Sequence, residues 1–414
     1  MTRGGWSGDP LRKLTIVFHH AGGGHRNAAE AVRSTLSAQS DPWDVTLLDT
    51  QVLLDPLDVL RRFTGIQIQE TYNQILRRGW TRFTPQLLRI LLTTIRLYHR
   101  PIVKEFAAYW AKHPADLVLS VIPHFNRELA ASLGASGVSG ASLPDRTKRP
   151  AFVTLITDLA DYPPHFWIER ESEYIIAGTE RARQQALAMG HAEDHVFETS
   201  GMVLKPKFYD QTCLTMTREE RVAERTRLGL EADCPTGIVL FGGHGSKVMV
   251  DIVKRLDQSG AGVQLILICG HNQKLEAEIR GLTTRKPKLV LGFTQNVEHY
   301  MALADFFIGK PGPGSISEAL QFHLPLIVEC NNRTLPQERY NADWVAEKGY
   351  GIVVESFREI APAVRRLIEP SAFQEFLRNT DGYRNRALAE VAEILDECYA
   401  RTHTAETVGS VSAR

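Results

Sequence analysis

Short apolar blocks recur along the chain, each closed by a polar or glycine-rich turn. Leu14 to Phe18, Leu117 to Val121, Phe152 to Ile156 and Tyr174 to Ala177 form a first set. Ile238 to Phe241, Val263 to Cys269, Leu289 to Leu291 and Phe306 to Ile308 form a second. Runs this short, with so little polar alternation, are strands buried on both faces, the texture of a parallel sheet. Helical spacing follows some of them: Ala28, Ala29, Val32 and Leu36 after the first block, then Ile316, Ala319, Leu320 and Leu324 after the last. Leu388, Val391, Ala392, Leu395 and Tyr399 outline one more amphipathic helix. Strand, turn and helix in two sets predict an α/β chain of two doubly wound, Rossmann-like domains.

Length agrees, since 414 residues at about 150 per domain allow two or three. Lys205-Pro206 is the expected exit from the first domain. The expected division is 1–205, 206–380, a final helix over 381–400 that crosses back, and a disordered tail over 401–414. The formal net charge is zero, so no global field recruits a polyanion, and nucleic acid is not an expected partner. Five scattered cysteines without a C-x-x-C pair argue for a reducing compartment and against a zinc or disulfide framework. Residues 1–10 lack the apolar core of a signal peptide, and no run reaches the roughly 18 apolar residues of a spanning helix.

Residues 55–113 have a different texture. Arg61, Arg62, Arg77, Arg78, Arg82, Arg89, Arg96, Arg100, Lys104 and Lys112 are interleaved with Trp80, Phe83, Leu87, Ile90, Ile95 and Tyr98. The segment reads as basic, amphipathic and largely helical, broken at Pro85 and Pro101. Such a segment lies well in a headgroup layer, where each cation contributes about 1 kcal/mol against an anionic leaflet. Ordinary helices packed on the sheet are the competing reading.

Candidate chemistry concentrates after the last apolar block, in Gly309-Lys310-Pro311-Gly312-Pro313-Gly314-Ser315-Ile316-Ser317-Glu318. The prolines donate nothing, and Gly312 and Gly314 let a ligand approach the backbone. The N–H groups of Gly314, Ser315 and Ile316 then converge at the positive end of a helix, which is an anion site suited to phosphate. The same residues fit a capping box from Ser315 to Glu318, which would need no ligand. The first turn, His19 to Asn27, is glycine-rich but lacks the G-x-G-x-x-G spacing of a dinucleotide site. His25 within it suits a general base at neutral pH, or simply lines the turn.

Three motifs in order, Gly292-Phe293-Thr294-Gln295-Asn296, then Gly312-Pro313-Gly314-Ser315-Ile316-Ser317-Glu318-Ala319-Leu320, then Pro336-Gln337-Glu338-Arg339-Tyr340-Asn341, resemble the GT-B glycosyltransferases of family 28. That group includes monogalactosyldiacylglycerol synthases, diacylglycerol glucosyltransferases and the enzyme that makes lipid II. The resemblance implies two domains facing across a cleft, with lipid acceptor on the first and UDP-sugar donor on the second. It implies Gly23, Gly24, His25 and His124 on the acceptor side, with His25 as base and Asp158 either orienting it or serving as base. On the donor side it implies Gly243 near the diphosphate and Phe293 at the uracil, with an ordinary core Phe as the alternative. Gly312, Gly314, Ser315 and Ile316 would meet the diphosphate, Glu318 the ribose, and Gln337 and Glu338 the hexose, with Asn341 a further donor-site residue about one helical turn later.

The implied reaction is inverting transfer of galactose or glucose from a UDP-hexose to diacylglycerol or a related lipid. Alternatives are another lipid acceptor such as an undecaprenyl-linked sugar, a UDP-sugar epimerase of similar fold, or a binding protein without turnover. No D-x-D motif is present, so no metal or other cofactor is expected. The expected location is cytoplasmic, peripheral on the inner face of an anionic membrane.

Overall fold

The computed structural model describes residues 11–19, 24–54, 92–135, 149–163 and 165–411, with side chains to Thr402. Gly23 and residues 55–91 therefore lie outside the described residues. Strands β1 (Lys13–Phe18), β2 (Asp44–Asp49), β3 (Leu117–Ser120), β4 (Ala151–Leu155), β5 (Tyr174–Ala177) and β6 (Val196–Glu198) form one sheet in the order β2-β1-β3-β4-β5-β6. Strands β7 (Thr236–Leu240), β8 (Gln264–Ile268), β9 (Lys288–Leu291), β10 (Phe306–Gly309), β11 (Leu326–Glu329) and β12 (Gly351–Val354) form the other, in the order β12-β11-β10-β7-β8-β9. Every pairing is parallel. Strands β3, β4, β5, β7 and β8 are buried throughout, as unalternating apolar runs require.

The strand orders set where ligands go. In the first sheet the chain moves outward from β1 to β2, then returns to place β3 on the other side of β1. In the second it moves from β7 through β8 to β9, then places β10 on the other side of β7. Each reversal opens a crevice at the strands' carboxyl ends, where open α/β sheets bind ligands. The turns after β1, β3, β7 and β10 carry His25, His124, Gly243 and Lys310 respectively.

The helix His99–Lys112 decides how part of the basic segment is used. Ile102, Phe106 and Trp110, four residues apart, are buried in the first domain's core. The Trp110 indole N–H donates to Ser132 Oγ at 2.8 Å. Burying one such side chain is worth about 2 kcal/mol, against about 1 kcal/mol for a cation at a membrane surface. This part of 55–113 is thus a packing helix and not a free headgroup face. The predicted break at Pro101 appears as a turn at Tyr98, because Pro101 has no N–H for the carbonyl of Leu97.

The last helix, Ala387–Val411, runs past the point where a disordered tail was expected, because 401–408 contain no proline or glycine to stop it. Val391, Ala392, Leu395 and Cys398 are buried in the first domain's core, although the helix follows the second domain in sequence. Asp396 fixes it there, accepting from Arg12 Nη1 at 2.7 Å and from the Trp43 indole at 3.0 Å.

Candidate functional site

The acceptor edge is built from the turns after β1, β3 and β4. Gly24 and His25 open the helix Gly24–Ser37, with Gly24 exposed. His25 Nδ1 lies 3.1 Å from Thr157 Oγ1. Its ring packs edge-on to His19 at 4.7 Å and tilted against Trp167 at 5.6 Å. Burial pushes the His25 imidazole down to about 4, with the Val121 carbonyl pulling it partly back up. His25 is therefore neutral at physiological pH, the form a base needs.

His124 adopts a left-handed backbone, φ 78°, and its N–H is held by the Phe166 carbonyl at 3.0 Å. Its ring meets Phe166 at 4.5 Å, and its Nδ1 is buried without a hydrogen-bond partner. Burial and the neighbouring His25 push it down to about 3. Asp158 is 8% exposed, with Oδ2 accepting from the Trp167 indole at 2.8 Å. Burial lifts its carboxyl to about 7, against the Trp167 bond; Glu338 lifts it further and Lys310 lowers it. His25 Nδ1 thus meets Thr157, the residue before Asp158, while Asp158 Oδ2 is held by Trp167.

Trp167, fully buried, was not assigned a role from sequence. Its own loop is organised by Asp161, which accepts from the N–H groups of His165, Phe166 and Trp167 at 2.7 to 3.1 Å. The D-x-x-D spacing of Asp158 and Asp161 was the only sequence signal for it.

The donor edge is built from helix starts. The helix Pro313–Gln321 has Gly312 as its N-cap and Pro313 in the first turn. Ser315 is therefore inside the helix, and its hydroxyl donates to the Gly312 carbonyl at 3.2 Å. No capping box forms between Ser315 and Glu318. The Ile316 N–H is taken by the Gly312 carbonyl at 3.0 Å, so of the three N–H groups only those of Gly314 and Ser315 lie ahead of the first intrahelical bond. A Cβ on Gly314 would meet nothing within 4 Å, so this backbone faces open space. Glu318 sits one turn on; burial lifts it to about 7, with Lys205 opposing and Glu298 adding.

A second helix, Pro336–Glu347, also begins with proline. It carries Gln337, partly exposed, and Glu338, 9% exposed. Glu338 Oε1 pairs with Lys310 Nζ at 2.7 Å. Asn341 is fully buried, and its amide donates to the Pro311 carbonyl at 2.8 Å. It braces the loop before Gly312, while its Oδ1 is buried without a hydrogen-bond partner. Phe293 is not a core side chain: it is 57% exposed and stacked on His271 at 4.1 Å. Gly243 lies in the turn after β7, where its carbonyl accepts from the His271 N–H at 2.9 Å. Gly270 must be glycine here, since a Cβ would come within 2.2 Å of that carbonyl.

The two edges face each other. Asp158 of the first domain feels the charges of Lys310 and Glu338 of the second. Leu159 beside it is buried in the second domain's hydrophobic cluster with Ile316 and Leu320. Arg181 lies 6.0 Å from the ring of Tyr340 across the same boundary.

Residues 237–375 match the family profile described as the glycosyltransferase family 28 C-terminal domain. The second domain is that of glycosyltransferase family 28. The chain is 26% identical over 384 residues to monogalactosyldiacylglycerol synthase 1, chloroplastic, of Arabidopsis thaliana, covering 89% of this chain and 67% of that one. It is 27% identical over 384 residues to a probable monogalactosyldiacylglycerol synthase of Nicotiana tabacum, covering 88% and 66%. The chain thus spans about two thirds of the length of these relatives. Among solved structures it is similar to MurG of Acinetobacter baumannii, with TM-score 0.57 at 13% identity over 94% of this chain and all of that one. A UDP-GlcNAc 2-epimerase of Neisseria meningitidis gives TM-score 0.56 at 13% identity, with the same coverage. The chain therefore has the GT-B fold, which transferases and epimerases share.

Proposed function

We propose that this protein transfers galactose from UDP-galactose to diacylglycerol with inversion at the anomeric carbon. The observation that carries the reading is the meeting of two unlike edges in one cleft. A neutral imidazole and a buried carboxyl, His25 and Asp158, face a helix start that presents the Gly314 and Ser315 N–H groups. The similarity to monogalactosyldiacylglycerol synthases supports galactose and diacylglycerol over other sugars and lipids. An epimerase of the same fold is less well supported, because the epimerase likeness is one of fold alone.

In this reading His25 takes the proton from the glycerol hydroxyl. The freed oxygen attacks the anomeric carbon from the face opposite UDP. The C–O bond to the diphosphate breaks, and the departing charge is stabilised by the Gly314 and Ser315 N–H groups at the helix start. Glu318 accepts from the ribose hydroxyls and Phe293 stacks near the uracil. Gln337 and Glu338 hold the hexose hydroxyls. No step needs a metal or other cofactor.

The acceptor reaches the cleft from an anionic leaflet on the cytoplasmic side, through the part of the basic segment that precedes the packed helix His99–Lys112. Supporting this, Val52 and Leu97, which flank 55–91, are 73% and 78% exposed. Among the described residues no helix is long and apolar enough to cross a membrane. The test mixes the protein with diacylglycerol in anionic liposomes and labelled UDP-galactose or UDP-glucose in parallel. Labelled glycolipid from UDP-galactose is the expected result. Label from UDP-glucose alone would overturn the donor, and UDP binding without label would overturn the acceptor.

A further inference from the structure

Lys310 is the cation at the centre of the cleft that the reading above leaves without a task. Its ammonium lies 2.7 Å from Glu338 Oε1. The two partners differ: the Lys310 side chain is 46% exposed and that of Glu338 11%. The carboxylate is fixed in the helix start, while the ammonium sits on a flexible four-carbon stem that reaches several positions. The position of a Cβ on Gly312 shows how close these groups are to the anion site. That one point lies 3.3 Å from Ser315 Oγ, 3.5 Å from Lys310 Cε and 3.8 Å from Glu338 Oε1. A side chain at Gly312 would therefore crowd all three, and a diphosphate bound at Gly314 and Ser315 lies within reach of the ammonium.

Two chemical demands then conflict. A diphosphate beside Glu338 places like charges a few ångströms apart, which is unfavourable unless a cation stands between them. Glu338 in turn must offer its lone pairs to sugar hydroxyls, and Oε1 is already used by Lys310. Both demands are met if the ammonium changes partner.

We propose that Lys310 is an exchangeable counter-ion that links nucleotide binding to sugar recognition, moving from Glu338 to the diphosphate of a bound nucleoside diphosphate sugar. The inference rests on the donor-site reading above. The exchange frees Glu338 Oε1 for the hexose hydroxyls only once a diphosphate is present. It also draws positive charge away from Asp158, which faces both groups from the other domain. The nucleotide part of the donor is thereby read before the sugar.

The distinguishing measurement is titration of UDP, which has no sugar, into the full chain by calorimetry. If Glu338 only contacts sugar, its substitution leaves UDP affinity unchanged. With the exchange, Glu338→Gln and Glu338→Ala remove the carboxylate that competes for the ammonium and the repulsion with it, so both bind UDP about tenfold tighter, the scale of one charge-assisted hydrogen bond. The same variants lose the preference for UDP-galactose over UDP. Lys310→Met binds UDP about tenfold or more weakly, and Lys310→Arg restores most of the affinity. Thermal melting of each variant checks the fold, and the paired substitutions keep the comparison intact if one of them fails. Unchanged or weaker UDP binding in both Glu338 variants overturns the exchange, as does unchanged binding in Lys310→Met. Absence of UDP binding by the wild-type chain is a different outcome, which overturns the donor-site reading and the exchange with it.

Discussion

The two edges of the cleft use opposite electrostatics on nearly the same backbone plan. The first domain lines its crevice with titratable groups stripped of water, and burial dominates each of them: His25 and His124 are pushed down to about 4 and 3, and Asp158 up to about 7. The second domain lines its crevice with helix starts, backbone N–H groups and an ion pair. A proton acceptor for a neutral hydroxyl works as an uncharged base in a dry site, whereas an anionic donor needs fixed dipoles and cations. Two different strand orders thus each open a crevice at the strands' carboxyl ends, one lined by buried titratable groups and the other by helix starts.

The sharpest way to break this contrast is to remove the base. His25→Ala is expected to lower transfer by about 10²-fold or more while UDP still binds, measured by label transfer and calorimetry. Joint loss of UDP binding would mean that the two edges are not separable. The pH profile identifies which group acts. With His25 as base, the acid limb of kcat/KM falls near pH 4; with Asp158 as base it falls near pH 7.

On the other edge, Gly314→Val fills the open space before the helix start. UDP affinity is expected to drop by about tenfold to a hundredfold with little change in melting temperature, since a Cβ there meets no protein atom. A large drop in stability instead would show that the glycine serves the fold.

Burial on the acceptor edge also has a stability signature. The folded pKa of Asp158, about 7, lies above the ordinary value of 3.8, so the folded state binds more protons between them and loses stability as pH rises through that window. Asp158→Asn should therefore stabilise the chain at pH 8, by on the order of 2 kcal/mol, and have little effect at pH 4. Thermal melts at the two pH values check the sign. His25 has the reverse dependence: lowered to about 4, it costs stability as pH falls from 6.5. The smallest effect is expected for Phe293→Leu, which removes the exposed stack on His271. UDP binding should weaken a few-fold, in keeping with about 1 kcal/mol for an aromatic pair.

Much of this was legible in the residues. The apolar blocks located most of the strands, and the glycine turns marked the crevices. Strands β2, β6, β11 and β12 were not singled out. Leu326 to Glu329 is too short to separate from a helix fragment, β2 alternates as an edge strand, and Gly351 to Val354 is only partly buried. Among site residues, Ser315 and Glu318 illustrate the limit. Their spacing fits a capping box as well as an anion site, and only the helix start at Gly312 separates the two. Asn341 carried a motif letter, but the motif does not state that its amide holds the Pro311 carbonyl.

The sequence by itself determined the architecture and the family resemblance, because buried parallel strands and glycine turns are local patterns that a chain cannot hide. It also determined the presence of an anion-friendly turn, since the proline and glycine positions dictate which N–H groups remain. Only the tertiary structure decided which groups are dry and which are paired. The lowered imidazole of His25, the raised carboxyl of Asp158, the bond from Lys310 to Glu338 and the indole of Trp167 all depend on residues distant in sequence. Burial and charge proximity are properties of three-dimensional neighbours, and here those neighbours come from two domains.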